Sequence, residues 1–366
     1  MTLSLRSKEI LTGIAVPLVA LCIFGLGEAA LRFSNIAKFG TVGMFNEGNA
    51  FVLDPVTQLR IPRPNAKMGV IQFNSHGFRG PEVGLAKPQS TLRIAFLGNS
   101  TTLDLGIPED STWVAIASAE LAKRAPSGCR VEYINAALPG TNVPRLTQYF
   151  AGVVQRFKPD LTVVMPGDVE NDNEEDLKVR GYDREKVSAP SWVAQKSLLW
   201  AKIEKNLLLI ALQRKVRQGI DYIEFDEQKH AAIFKLRLID LVNEIRAHDS
   251  MAALVNISGY ARIGHKGDDQ TRALEALLYN PFTSIEDLLA GRESYNARIV
   301  EVANEQNTLL VNTQSSIPPD EKYFIDNVHF TVLGSAMHGK LVSDAIASSS
   351  RFPELLEKAG GDCAKD

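Results

Sequence analysis

The chain has 366 residues, 45% hydrophobic and 23% charged, with a formal net charge of −3. That balance excludes a mostly disordered chain, a collagen-like repeat and a polytopic membrane protein, and the lack of a basic excess excludes a dedicated nucleic-acid binder. Three cysteines cannot make a disulfide framework and none sits in a CxxC pair, which argues against a zinc or redox protein.

The first element is apolar. Between Glu9 and Glu28 lie 18 uncharged residues, Ile10 to Gly27. As a helix rising about 1.5 Å per residue they span roughly 27 Å, enough for a bilayer core. Pro17 and the glycines do not prevent this, because membrane-spanning helices tolerate both. A membrane anchor is favoured over a cleaved signal peptide, whose apolar core usually runs about 7–15 residues, and over a buried helix. Arg6 and Lys8 before the segment balance Arg32 and Lys38 after it, so charge does not fix the orientation. Residues 1–28 are assigned to a cytoplasmic tail and a transmembrane anchor, and residues 29–90 to a linker and irregular lead-in.

From Leu92 onwards, strands and helices alternate. Leu92–Leu97, Arg130–Ile134, Leu161–Met165, Ala252–Ile257 and Thr308–Val311 read as strands. Thr112–Lys123 and Leu146–Phe157 read as helices, and amphipathic helices precede the last two strands. This rhythm predicts a parallel sheet with helices on both faces over residues 91–350, followed by a C-terminal tail, 351–366. Residues 171–230 interrupt it as a helical insertion or cap. Within them Lys196–Gln218 carries an apolar face rimmed by Lys202, Lys205, Arg214, Lys215 and Arg217. Packing on the sheet or as a cap is the favoured reading, with a place on a membrane surface as the alternative. Six carboxylates fall between Asp168 and Asp176, but a calcium loop would need glycine at Asn173 and glutamate at Val179. A solvated acidic loop is the better reading. Cys129 and Cys363 can pair if the domain lies outside the cytoplasm, an expectation that two isolated cysteines support only weakly.

Ligands of open parallel sheets bind beyond the carboxyl ends of the strands. Gly98-Asn99-Ser100 follows the first strand, the run ending in Gly140 follows the second, and Gly167-Asp168-Val169-Glu170-Asn171-Asp172 follows the third. Asp326-Asn327-Val328-His329 stands near the C-terminus. A serine hydroxyl becomes a nucleophile when an imidazole takes its proton, and a carboxylate fixes the tautomer of that imidazole. Asp326 and His329, three residues apart, can both project from one turn towards Ser100.

These blocks resemble the SGNH, or GDSL-like, hydrolase family. Gly98-Asn99-Ser100 matches its Gly-Asp-Ser block, Gly140 its second-block glycine, and Asp326 and His329 its final Asp-x-x-His block, with Thr331 and Gly334 trailing. The resemblance covers roughly residues 90–350 and implies a three-layer α/β/α flavodoxin-like fold. It implies Ser100 as nucleophile, His329 as general base and Asp326 as its orienting carboxylate. The oxyanion hole would comprise the amides of Ser100 and Gly140 and an asparagine side chain. Two positions depart from the pattern. Asn99 replaces the usual aspartate, and the usual Gly-x-Asn-Asp is interrupted, so that Val169 occupies the asparagine position without a gap. Asn171, reached through a local insertion, is the preferred donor. The lead-in Asn74-Ser75-His76-Gly77-Phe78-Arg79-Gly80 resembles a membrane-attached branch of the family, with Asn74 and Arg79 expected to form a turn beside the site and His76 to be structural.

The resemblance implies an extracytoplasmic, membrane-anchored ester hydrolase without cofactor or metal. Its expected substrates are O-acyl, chiefly acetyl, groups on a carbohydrate, a cell-envelope polymer or a small ester. The same triad can serve an O-acyltransferase, and the altered third block leaves room for a non-catalytic binding or assembly protein.

Overall fold

A computed structural model describes residues 5–33, 50–167, 191–194, 196–217, 222, 226–263 and 282–364. The acidic run from Asp168 and the proposed donor Asn171 lie outside the described residues.

Helix α1, Leu5–Phe33, carries Pro17 inside it. Its segment Gly13–Arg32, of mean hydropathy 2.2 and with none of its window buried, has the length and composition to cross a membrane. A signal sequence meets the same criteria. Two small antiparallel ladders follow, β1 (Phe51–Leu53) with β2 (Arg60–Pro62) and β3 (Lys67–Met68) with β4 (Ile71–Gln72). The lead-in thus folds in part, and it reaches the main sheet where the Arg79 amide donates to the Asn135 carbonyl at 3.2 Å. That contact covers part of an otherwise open sheet edge.

The main sheet has five strands: β5 (Thr91–Gly98), β6 (Arg130–Ala137), β7 (Leu161–Met165), β8 (Met251–Val255) and β9 (Leu309–Val311). All pair in parallel, in the order β6-β5-β7-β8-β9. Every residue of β5 is buried, as a strand covered on both faces requires. Alternation along it feeds two cores. Ala95 and Leu97 join the core under α4 (Val143–Gly152), α6 (Glu227–Ala247) and α7 (Ile285–Glu305). Leu92, Ile94 and Phe96 join the opposite core, under α3 (Trp113–Arg124) and α8 (Val332–Ala347). The result is a three-layer α/β/α sandwich with the strand order of a flavodoxin-like sheet.

The segment expected as a C-terminal tail, residues 351–366, packs on the domain over residues 351–364. In α9, Arg351–Ala359, Phe352, Leu355 and Ala359 recur at helical spacing and bury into the second core. The helix within Lys196–Gln218, α5 (Leu198–Arg217), packs against α1.

Cys129 and Cys363, 234 positions apart in sequence, form a disulfide with their Cα atoms 4.5 Å apart. The returning C-terminus makes this possible, because the Asp362 amide donates to Ser90 Oγ at 2.9 Å just ahead of β5. In the chain-entropy model, closing a loop of this length stabilises by about 5 kcal/mol. Reduction with dithiothreitol should therefore lower the melting temperature by roughly 5–10 °C in scanning fluorimetry, and a Cys129→Ser/Cys363→Ser variant should melt at the reduced value with or without reductant. Equal melting of the oxidised and reduced wild type would show that the bond adds no stability.

Candidate active site

The site begins where β5 ends. A Cβ on Gly98 would collide with Thr102 Oγ1 and lie 2.5 Å from the Met165 carbonyl of β7, so only glycine lets the chain turn here. Asn99 then caps the short helix α2, Ser100–Leu103, its side-chain oxygen accepting from the Thr101 amide at 3.0 Å. Asparagine and aspartate cap about equally well, which accounts physically for Asn99 at a position where aspartate is usual. Ser100 thereby sits at the head of α2, half-buried, at the carboxyl end of the sheet. Among the described residues, its amide donates to none.

The opposing side chains come from the turn before α8. An isolated bridge between Phe324 and Phe330 closes this turn, and both rings are buried. Inside it, Asp326 Oδ1 accepts from the amides of Val328 and His329 at 2.9 and 2.8 Å. Asp326 Oδ2 lies 2.7 Å from His329 Nδ1, and His329 Nε2 lies 2.9 Å from Ser100 Oγ. With the ring proton on Nδ1, His329 donates to Asp326 and accepts from the serine hydroxyl. Burial alone would raise the Asp326 carboxyl, but the facing imidazole and the hydrogen bonds it accepts outweigh this and hold it below its usual value. Asp326 therefore remains an acceptor at neutral pH.

Gly140 lies on the loop after β6, exposed, at φ +66, where a Cβ would meet nothing. The backbone conformation favours glycine there, and the space does not.

Of the groups that hold this arrangement, sequence reasoning named Asn74 and Arg79 as a turn beside the site and missed the others. Asp104, at φ +59, ends α2, and its amide donates to the Ser100 carbonyl. Its buried carboxylate accepts from the Trp113 amide of α3 at 2.8 Å and from the Ser335 hydroxyl of α8. Arg79, fully buried, donates to the carbonyls of Leu103 at 2.5 Å, Asp104 at 2.9 Å and Ile107, and to Glu109 Oε2 at 2.7 Å. Asn74 shapes the preceding turn by accepting from the amides of His76 and Phe78 at 2.9 and 3.0 Å. On the other side, the Asn327 carbonyl accepts from the Tyr260 amide at 2.9 Å, which ties the Asp326–His329 turn to the loop after β8. Asn256 steadies that loop by accepting from the amides of Thr313 and Gln314 at 2.7 and 3.0 Å. A polar Asn-x-Ser-Gly run directly after an apolar strand was the available signal.

Burial raises the Asp104 carboxyl to about 6, against the opposing pull of Ser335, Trp113, Arg79 and His329. Its usual value is 3.8, so the folded state holds this proton more tightly than the unfolded state. The stability it contributes is full below that usual value and is lost as pH rises through about 6. The melting temperature of Asp104→Asn, relative to wild type, should therefore move in the variant's favour between about pH 4 and pH 7. Parallel melting profiles across that window would contradict the raised carboxyl.

Residues 96–337, about two thirds of the chain, match the model of the GDSL-like Lipase/Acylhydrolase family. No curated protein sequence matches the chain. Among solved structures, a mutant acetyl-xylooligosaccharide esterase from Geobacillus stearothermophilus is 16% identical at a TM-score of 0.43, covering 70% of this chain and 95% of its own. A putative lipolytic protein of the G-D-S-L family from Desulfitobacterium hafniense is 10% identical at a TM-score of 0.40, covering 69% and 99%. A putative GDSL-like lipase from Parabacteroides merdae is 14% identical at 0.41, covering 72% and 98%. The match to the family model, over the strands and turns that carry Ser100 and the Asp326–His329 pair, decides the assignment: the chain belongs to the GDSL-like lipase/acylhydrolase family and is an ester-bond hydrolase.

Proposed function

We propose that the protein is a membrane-anchored serine esterase that removes O-acyl groups, chiefly acetyl, from a carbohydrate or other cell-envelope ester. The observation that carries the reading is the continuous relay from Ser100 Oγ through His329 to Asp326, at 2.9 and 2.7 Å. In this reading His329 Nε2 takes the hydroxyl proton as Ser100 Oγ attacks the acyl carbonyl. The amides of Ser100 and Gly140 and the side chain of Asn171 receive the developing oxyanion. The imidazolium returns its proton to the departing alcohol, leaving an acyl-serine. Water, deprotonated by the same imidazole, then attacks the acyl-serine and releases the acid and free Ser100.

The acetyl-carbohydrate part of the proposal draws on the relative that carries that activity in its name. The extracytoplasmic placement draws on two features. α1 meets the requirements for a span, and the Cys129–Cys363 bond persists in oxidising compartments.

With p-nitrophenyl acetate, Ser100→Ala and His329→Ala should each lower kcat by at least about 10³-fold, and the double variant should be little worse than either single one. Asp326→Asn should cost less than loss of the serine but remain severe. Asn171→Ala should lower kcat by about 10²-fold with unchanged melting. Wild-type turnover by well-folded Ser100→Ala would end the esterase reading, and near-normal turnover by Asn171→Ala would remove that residue from the oxyanion hole. For topology, protease added to intact spheroplasts should digest the catalytic domain. Protection until lysis would mean that the domain faces the cytoplasm.

A further inference from the structure

Helix α5 is fastened by its first turn to the end of α1. Glu28 accepts from the amides of Leu198 and Leu199 at 3.1 and 2.9 Å and from the Ser197 hydroxyl at 2.8 Å. These are the amides a helix start leaves unpaired, so one carboxylate of α1 serves as the cap of α5. Arg32 completes the joint, donating to Glu28 Oε1 at 2.7 Å and to the Lys196 carbonyl at 3.0 Å. Gly27 leaves room for Leu199, whose Cδ2 would be 3.0 Å from a Cβ there. Below this joint α1 is bare, with residues 13–23 all exposed.

The apolar side chains of α5 follow the joint. Trp200, Ile203, Leu207 and Ile210 recur at intervals of three and four residues and form one stripe along the helix. Trp200, Leu207 and Ile210 are 39%, 60% and 44% exposed. On the other side of the helix Ala201 is buried with Ala194. Arg214, exposed, falls at the far end of the stripe. An apolar stripe on a helix about 30 Å long, with a tryptophan at one end and an arginine at the other, suits the boundary between acyl chains and headgroups.

We propose that α5 lies along the bilayer surface, its Trp200–Ile210 stripe in contact with the lipid into which α1 inserts. The occupant is the bilayer because the stripe starts at the joint: lipid surrounding the bare shaft of α1 reaches the first residues of α5 without a gap. This inference rests on α1 being a membrane anchor. It adds a second contact that fixes the tilt of the esterase domain against the membrane.

The chain has three tryptophans, Trp113, Trp192 and Trp200, and Trp113 is fully buried in the core. The full-length Trp192→Phe variant, reconstituted in phosphatidylcholine vesicles with brominated acyl chains, should lose about half of its emission relative to unbrominated vesicles, the share of the single surface tryptophan. The Trp192→Phe/Trp200→Phe variant should show no loss. A carbonate wash separates the two ideas. If the protein stays with the vesicles and Trp200 is not quenched, α5 is not on the membrane although α1 is in it. If the wash releases the protein, the anchor reading fails and this proposal fails with it.

Discussion

The carboxylate of Asp104 joins the two parts of the chain that carry Ser100 and His329. These residues are 229 apart in sequence, and the hydrogen bond between them cannot hold the two segments in place. Asp104 can, because its amide closes α2, its side chain holds the start of α3, and the Ser335 hydroxyl ties it to the helix that follows His329. A buried carboxylate without partners would cost several kcal/mol. Here two hydrogen bonds and the nearby Arg79 guanidinium offset that cost, though burial still raises the carboxyl to about 6. Stability is thus exchanged for a fixed distance between Ser100 and His329.

Arg79 extends the same logic outwards. Its buried guanidinium spends three bonds on the carbonyls of Leu103, Asp104 and Ile107, and a fourth on Glu109. The lead-in is therefore part of the site's support, because it delivers the Arg79 guanidinium to the Ser100 turn. A lysine could not replace it, since an ammonium has three donors and no planar fork.

The difference between what sequence reveals and what it hides has a physical basis. Central parallel strands bury both faces, so Leu92–Leu97 and Leu161–Met165 stand out as apolar runs. β6 runs past its expected end at Ile134 because Asn135, a polar residue, continues it, pairing with Arg79 and donating to the Thr102 carbonyl at 3.1 Å. The helix expected from Leu146 to Phe157 starts earlier, after the Asn142 cap with Pro144 in its first turn, and breaks into a separate turn at Val154–Phe157. Asp326 and His329 were legible because an aspartate and a histidine three residues apart are a side-chain pattern. Arg79 was legible only as part of a turn beside the site, and its bonds were not, because its acceptors are mostly backbone carbonyls, which every residue type shares. The Cys129–Cys363 pairing was only weakly legible, because nothing local indicates that α9 returns to the start of β6.

Behind the relay the site is lined by buried aromatic rings. Trp113 packs edge-on against Phe96 and His338, with ring centroids 5.3 and 4.9 Å away, and His338 also lies 4.8 Å from Phe330. Burial alone drives the His338 imidazole down to about 3, so it stays neutral across the working range and behaves as an aromatic ring. Trp113 Nε1 donates to the Thr101 carbonyl at 3.0 Å, fastening the same short helix that Asp104 closes. The Ser100 turn is therefore held from below by buried rings and from the side by the Asp104 and Arg79 hydrogen bonds. The Asp326–His329 turn is held by the buried Phe324 and Phe330 rings on either side of it and by the loop after β8, where the Tyr260 amide donates to the Asn327 carbonyl.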